Sequence, residues 1–291
     1  KNIPCLGIEP PHSTALAARE KDLEIIEDFF GVVKAQELAE DGRQADLTVA
    51  NNVLAHVPDI NDFAKGFSIL LKNQGVATFE FPHLLNLVRL NQFDTIYHEH
   101  YSYLSLITVQ EIFAANGLTV FNVEELPTHG GSLRVYAQRA DYGNRPLDNS
   151  VALIIDKEAA AGMTTVAFYD GFQDKANTVK NDFLGFLQDA KKQGKKVAGY
   201  GAAAKGNTLM NFAGIGPDLI SYVVDRNPAK QNKFLPGSKI PIVGEDNLKL
   251  SRPDYVVIVP WNLRGEIVGQ LDYIRVWGGK FVTAVPKLTV E

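Results

Sequence analysis

The chain has 291 residues, 45% hydrophobic and 22% charged, with a formal charge of −5; it can bury one large core or two ordinary ones, and two domains is the natural expectation. That mild charge, with no basic run, gives no electrostatic reason to expect nucleic acid or an anionic membrane as a partner. A single cysteine excludes an internal disulfide framework and fits a reducing, cytoplasmic setting, no apolar run reaches the length of a membrane span, and Lys1-Asn2-Ile3-Pro4 begins no signal peptide.

Taken in order, residues 4–9 form a short apolar strand run that contains Cys5 and ends on Glu9, and residues 13–19 can wind a helix. In nucleotide-binding sheets an acid at a strand's carboxyl end accepts hydrogen bonds from ribose hydroxyls, so Glu9 is a candidate for that role, with a solvated glutamate as the plain alternative. Residues 23–26 read as a strand, 32–39 as a helix and 46–49 as a strand that runs into Asn51, Asn52 and His56. Those three sit just past a strand's carboxyl end, where open α/β sheets bind ligands. Asp59 and Asn61 are candidate caps for a helix whose stripe is Phe63, Phe67, Leu70 and Leu71. A strand at 75–81, a helical turn or two at 82–90, a helix at 108–116 stopped by Gly117, and strands at 118–126 and 133–138 complete the first half. Alternating strands and helices imply a parallel, doubly wound α/β sheet.

Within this half, Gln92-Phe93-Asp94-Thr95-Ile96-Tyr97-His98-Glu99-His100-Tyr101-Ser102-Tyr103 gathers imidazoles, carboxylates and phenols with no helical or strand periodicity. Such groups are costly to bury unless they pair with each other or with a ligand, so the stretch reads as a loop that does acid/base chemistry. A His-x-His pair also has metal-ligand spacing, but it needs further ligands and Cys5 belongs to a separate run. Five of the six histidines lie between positions 56 and 129, which places proton transfer in the first half.

After Arg139 the composition changes. Residues 141–150 form a polar linker, 151–191 are mostly helical with interruptions near Gly162 and Gly171, and strands are expected at 220–225, 255–259 and 280–285. This is a second α/β unit. Gly199-Tyr200-Gly201 with Asp225 further on imitates a dinucleotide fingerprint, although by itself that signal is weak. A Gly-rich loop at a helix N-terminus offers N–H groups to any phosphate and Lys205 adds a cation, so a diphosphate is the common denominator. A tight turn with a solvated lysine is the plain alternative.

Five motifs occur together and in order: Gly7-Ile8-Glu9-Pro10, the Ala50 to Asp59 run, Asp94-Thr95-Ile96-Tyr97-His98-Glu99-His100, Thr128-His129-Gly130-Gly131-Ser132-Leu133-Arg134, and Gly199-Tyr200-Gly201-Ala202-Ala203-Ala204-Lys205-Gly206-Asn207. Over essentially its whole length the chain resembles the sugar C-methyltransferase family. The resemblance implies a class I methyltransferase (Rossmann-like) domain at 1–145, a second Rossmann-like domain anchoring a nucleotide sugar at 146–291, and S-adenosylmethionine as cofactor. The reaction implied is methylation of carbon 3 of a nucleotide-linked 4-keto-deoxysugar. By the same resemblance, Glu9, Asn51 and Asn52 face the cofactor and Gly201, Lys205 and Asn207 the substrate. His100 is the base, Glu99 orients it or holds a sugar hydroxyl, and Tyr97 and His56 donate to an enolate oxygen; base and donor roles can be exchanged between His56 and His100. Family members begin with a cysteine-rich zinc module and a strand with a Gly-rich cofactor loop. This sequence enters at what would be the second strand, which leaves no zinc ligands in these residues and the neighbours of a central strand without ladder partners. A nicotinamide-dependent oxidoreductase and a non-catalytic nucleotide-sugar binding module remain open as other classes, and the residues fix no oligomeric state.

Overall fold

A computed structural model describes residues 3–291; the expectation at Lys1 and Asn2 lies outside the described residues. In chain order the elements are β1 (Leu6–Ile8), α1 (His12–Arg19), β2 (Glu24–Ile26), α2 (Val32–Glu40), β3 (Ala45–Asn51), α3 (Ile60–Leu70), β4 (Leu71–Pro82), α4 (Leu84–Arg89), α5 (Leu106–Ala115), β5 (Leu118–Leu126), β6 (Ser132–Arg139), α6 (Asn149–Ala160), α7 (Phe172–Lys192), β7 (Val197–Tyr200), α8 (Ala204–Phe212), β8 (Val223–Val224), β9 (Ile242–Val243), α9 (Asp246–Ser251), β10 (Tyr255–Ile258), α10 (Arg264–Gln270), β11 (Lys280–Thr283) and β12 (Thr289–Val290). The alternation gives the expected α/β class. The expected strand run at 4–9 is shorter in the structure: Cys5 is exposed and precedes β1, which starts at Leu6 and ends at Ile8.

The chain forms two compact units. The first comprises the chain up to Phe81, Tyr101–Leu126 and Ser132–Glu158. Its strands form a parallel β1–β2 pair and a sheet in the order β3-β4-β6-β5, with β3 and β4 parallel and β5 and β6 an antiparallel hairpin. Among the described residues β1 pairs only with β2 and β3 only with β4, so each has one unpaired edge. Leu47 and Val49 on β3 stay exposed. Asp59 caps α3 by accepting the N–H groups of Asn61 and Asp62 at 3.0 Å each, which turns the Phe63, Phe67 and Leu70 stripe onto the sheet. Asn61 lies inside α3 instead of capping it, and its side-chain oxygen accepts from Asn116 at 2.8 Å. Phe67 and Phe113 each meet the buried Phe79 ring at 4.7 Å, and these rings centre the core.

The second unit comprises Pro82–His100, Pro127–Gly131 and Ala159–Glu291. Its sheet runs β12-β11-β10-β7-β8-β9, parallel except for β12. Val179, Phe183, Leu187 and Ala190 recur at helical spacing along α7 and are buried in the core with Leu209, Met210 and Val257. Phe93, from the histidine-rich stretch, joins that same core. Among the described residues no helix is long and apolar enough to cross a membrane, and no group of three His, Cys, Asp or Glu side chains is placed to hold a metal ion.

One buried acid closes the first unit. Glu158 on α6 is 0% exposed and accepts the N–H groups of Leu106 and Ile107 at 2.6 and 2.9 Å, at the N-terminal end of α5. A carboxylate there satisfies two donors and meets the positive end of the helix dipole. Glu158→Ala should therefore lower the stability of the protein by about 2–4 kcal/mol in urea unfolding, because charged hydrogen bonds are lost and buried N–H groups are left unmet. A loss below about 0.5 kcal/mol, as at an ordinary surface position, would contradict that reading.

Candidate active site

In the second unit the strand order reverses around β7: β8 and β9 lie on one side, β10 and β11 on the other. The crevice beyond the carboxyl ends of β7 and β10 is thus a topological switch point, the standard ligand position of an open α/β sheet. Two loops border it, Gly201 to Ala203 leading into α8 and Val259 to Asn262 after β10. They approach closely. Gly201 has φ +90°, and a Cβ there would lie 2.5 Å from Pro260 Cδ; a Cβ on Gly206 would collide with Val259. Glycine at these positions is required by the turn and by loop-on-helix packing.

The N–H groups of the glycine loop are engaged within the protein. Gly201 donates to Val224 O at 2.7 Å, Ala203 to Gly201 O at 2.9 Å, and Ala202 to Asp225 Oδ2 at 2.8 Å. Asp225 Oδ1 accepts from the Asn227 N–H at 2.8 Å, and Lys230 lies 3.5 Å from Oδ2. The acid that a dinucleotide fingerprint would turn toward a ribose is here holding its own loop in shape, which argues against a nicotinamide site. No side chain caps α8, Lys205 stands in its first turn, and Asn207 Oδ1 is buried without a partner.

The histidine-rich stretch divides into two parts. Gln92, Phe93, Asp94 and Thr95 are buried, whereas His98 and Glu99 are exposed and Tyr97 and His100 half-buried. The buried part is tied down locally: Phe93–Thr95 makes a 3-10 turn, the Gln92 side-chain amide donates to Gly130 O at 2.7 Å, and the Phe93 ring sits 5.4 Å from that of Phe212 on α8. Gly130, at φ +94°, admits the Trp261 ring and the Gln92 amide where a Cβ would stand. Beyond the turn, the Tyr97 and His100 rings lie 4.5 Å apart, and the His100 N–H donates to Tyr97 O at 3.0 Å.

Asp94 is the electrostatic centre. It is 0% exposed; Oδ2 accepts from Trp261 Nε1 at 2.7 Å and Oδ1 has no partner from another residue. Lys205 Nζ donates to Asn262 Oδ1 at 2.7 Å and lies 4.5 Å over the Trp261 ring, a cation–π arrangement. Burial pushes the Asp94 carboxyl up from its ordinary 3.8 to about 6, against the opposing effects of the Trp261 hydrogen bond and the Lys205 charge. Burial also lowers the Lys205 ammonium, with Asp94 opposing. Each group is therefore less costly in the presence of the other.

The remaining predicted residues lie in the first unit. Glu9 is half-buried directly after β1, with its N–H on Ile26 O at 3.0 Å. Asn51 ends β3 and is exposed; Asn52 has φ +56°, donates its N–H to Glu80 O at 2.7 Å and has a buried, unpartnered Oδ1. His56 is half-buried in the 3-10 turn Leu54–His56. Thus the structure groups Tyr97, Glu99, His100, Gly201, Lys205 and Asn207 in one unit, and Glu9, Asn51, Asn52 and His56 in the other. Sequence reasoning did not single out Gln92, Asp94, Trp261 or Asn262 individually. The strand-end rule that selected Asn51 applies equally to Pro260-Trp261-Asn262 after β10, and is the signal that was there to be used.

Residues 127–286 match the family described as C-methyltransferase C-terminal domain, and residues 2–123 match the one described as Methyltransferase domain. The chain is 34% identical over 284 residues to the C-methyltransferase NovU of Streptomyces niveus, covering 97% of this chain and 67% of that protein. Among solved structures it is similar to magnesium protoporphyrin IX methyltransferase (ChlM) of Synechocystis PCC 6803 with bound SAM, at 14% identity and TM-score 0.33, covering 46% of this chain and 58% of that one. It is also similar to an S-adenosylmethionine dependent methyltransferase of Mesorhizobium loti, at 12% identity and TM-score 0.36, covering 46% and 79%.

The raised Asp94 carboxyl fixes a pH dependence. Between its ordinary value of 3.8 and about 6 the native protein holds a proton that the unfolded chain has released, so this group's contribution is largest below about pH 4 and declines until about pH 6. A shift of roughly two units corresponds to about 3 kcal/mol. Asp94→Asn removes the titrating group, so the stability of wild type minus that of the variant, from urea unfolding at pH 4, 5, 6 and 8, should fall by that order as pH rises and then level off. A flat difference would mean that Asp94 does not titrate in this range.

Proposed function

Because the chain belongs to the family of S-adenosylmethionine-dependent C-methyltransferases, we propose that its acceptor is carbon 3 of a nucleotide-linked 4-keto-deoxysugar and that the methyl group is received by an enolate. A carbon beside a ketone is a weak acid, so a base must take its proton while donors hold the developing oxyanion. The observation that carries this reading is the Tyr97–His100 ring pair, half-buried at 4.5 Å on a segment whose root is fixed beside Lys205. His100 takes the proton, Tyr97 and His56 donate to the enolate oxygen, and Glu99, exposed at the same turn, holds a sugar hydroxyl or orients His100. Exchange of the base and donor roles between His56 and His100 is the variant form of the same mechanism.

Lys205, with the uncapped first turn of α8, supplies the charge and donors that a diphosphate needs, and Gly201 and Asn207 shape that end of the crevice. S-adenosylmethionine supplies an electrophilic methyl group. The residues of the first unit fit it: Glu9 offers a strand-tip carboxylate to ribose hydroxyls, Asn52 a buried acceptor without a partner, and Asn51 precedes Asn52 at the end of β3. The division of labour is donor binding by residues 1–145 and acceptor anchoring by 146–291, in a cytoplasmic enzyme that works on a nucleotide-sugar pool.

The test is proton exchange at the sugar carbon in deuterated water, without the methyl donor. Wild type should exchange that proton, and His100→Ala should slow exchange by about 10²–10⁴ while nucleotide-sugar affinity is retained, because general-base assistance is worth that much. Normal exchange in His100→Ala would transfer the base to His56.

A further inference from the structure

The first part of the histidine-rich stretch is not needed for the proposed proton transfer, yet it holds a fully buried carboxyl. An aspartate that water does not reach, with one oxygen on Trp261 Nε1 at 2.7 Å and the other without a partner from another residue, is a poor choice for stability alone. It sits three residues before Tyr97, five before Glu99 and six before His100 in the sequence. We infer that Asp94 is a positioning residue: through its hydrogen bond to Trp261, beside the Lys205 ammonium, it fixes the segment carrying Tyr97, Glu99 and His100 at the switch-point crevice of β7 and β10.

Trp261 is held by its own turn, its N–H on Val259 O at 2.9 Å, and its ring is wedged between the Lys205 ammonium and Gly130. A bond from that indole to Asp94 therefore transfers the rigidity of the sheet to the loop. Gln92, bonded to Gly130 O, sets the neighbouring residue, and Thr95 Oγ1 closes the turn on Gln92 O at 2.8 Å. Downstream the chain is next tied down at Tyr101 and Ser102, whose N–H groups donate to Ala55 O at 2.9 and 3.3 Å, so Asp94 sets one of the two ends of the Tyr97 to His100 turn. Misplacement by about 1 Å can cost about 10²-fold in rate, which is why a fixed root matters more for chemistry than for folding. This role rests on the reading of His100 as the base.

The interaction is also sensitive to the proton on Asp94, since an ionised acceptor makes the stronger hydrogen bond to Trp261. The elements packed on the turn are α4 and α8. Lys205 of α8 is the charge that acts on Asp94; Arg89 of α4 is exposed, as is His129 in the turn beside Trp261, and Tyr97, His98, Glu99 and His100 follow on its own segment.

Trp261 reports directly on the pairing. In a Trp277→Phe background, which leaves one indole, Trp261 emission should titrate with a midpoint of about 6, and Asp94→Asn should make it flat. Amide hydrogen exchange of residues 96–100, followed by mass spectrometry, should accelerate by about tenfold or more in Asp94→Ala and in Trp261→Phe, since a local opening made easier by one hydrogen bond exchanges faster by that order. Asp94→Asn, which keeps an acceptor for the indole, should restore most of the protection. Substrate-carbon exchange, measured at saturating nucleotide sugar, should fall in Asp94→Ala. A Trp261 titration that survives in Asp94→Asn, or unchanged amide exchange in Trp261→Phe, would overturn the inference. If wild type shows no substrate-carbon exchange, the assignment of His100 fails, and the positioning role is still decided by the fluorescence and amide measurements. If Asp94→Ala does not fold, Trp261→Phe carries the same test.

Discussion

The hydrogen bond from Trp261 to Asp94 joins parts of the second unit that are 167 positions apart in the chain. Around it four segments converge: the Gln92 to Thr95 turn, Gly130, the first turn of α8 with Lys205, and Trp261 with Asn262 after β10. None of these is costless. A carboxyl and an ammonium are both held away from water, and each is tolerable because the other offsets part of its desolvation. Charges assembled in a crevice at this cost are characteristic of sites, where stability is given up for function.

The glycine loop shows how a familiar pattern can mislead about its ligand. Its spacing and the acid after the next strand resemble a dinucleotide fingerprint, but the acid closes the loop by accepting the Ala202 N–H, and Gly201 is needed because Pro260 lies against it. What is left to meet an anion is the uncapped start of α8 and Lys205. Fold resemblance alone would not separate these possibilities, whereas the hydrogen-bond partners do.

Long elements were legible in the sequence because their periodicity is: the α3 stripe of Phe63, Phe67 and Leu70, the hairpin of β5 and β6, and the helical stretch interrupted at Gly162 and Gly171, which is α6 and α7. Strands β9 and β12 have two residues each, too few for an alternation to register, and β8 covers only Val223 and Val224 of the expected 220–225 run. In the candidate site, the histidine-rich stretch announced itself by composition. Its division into a buried root and an accessible tip did not, because the partners that bury Asp94 come from distant turns with no local pattern of their own. Glu158 was hidden for the same reason: in sequence it is one acid among many on a helix, and only tertiary structure sets it at the start of α5.

Methyl transfer to a carbon acid beside a ketone is tested most directly by the bond it forms. The protein, supplied with S-adenosylmethionine labelled with carbon-13 in its methyl group and a 4-keto-deoxysugar nucleotide labelled with carbon-13 at carbon 3, should yield a product whose methyl signal is split by a one-bond carbon–carbon coupling. A labelled methyl group without that coupling, attached through oxygen or nitrogen, would contradict the account.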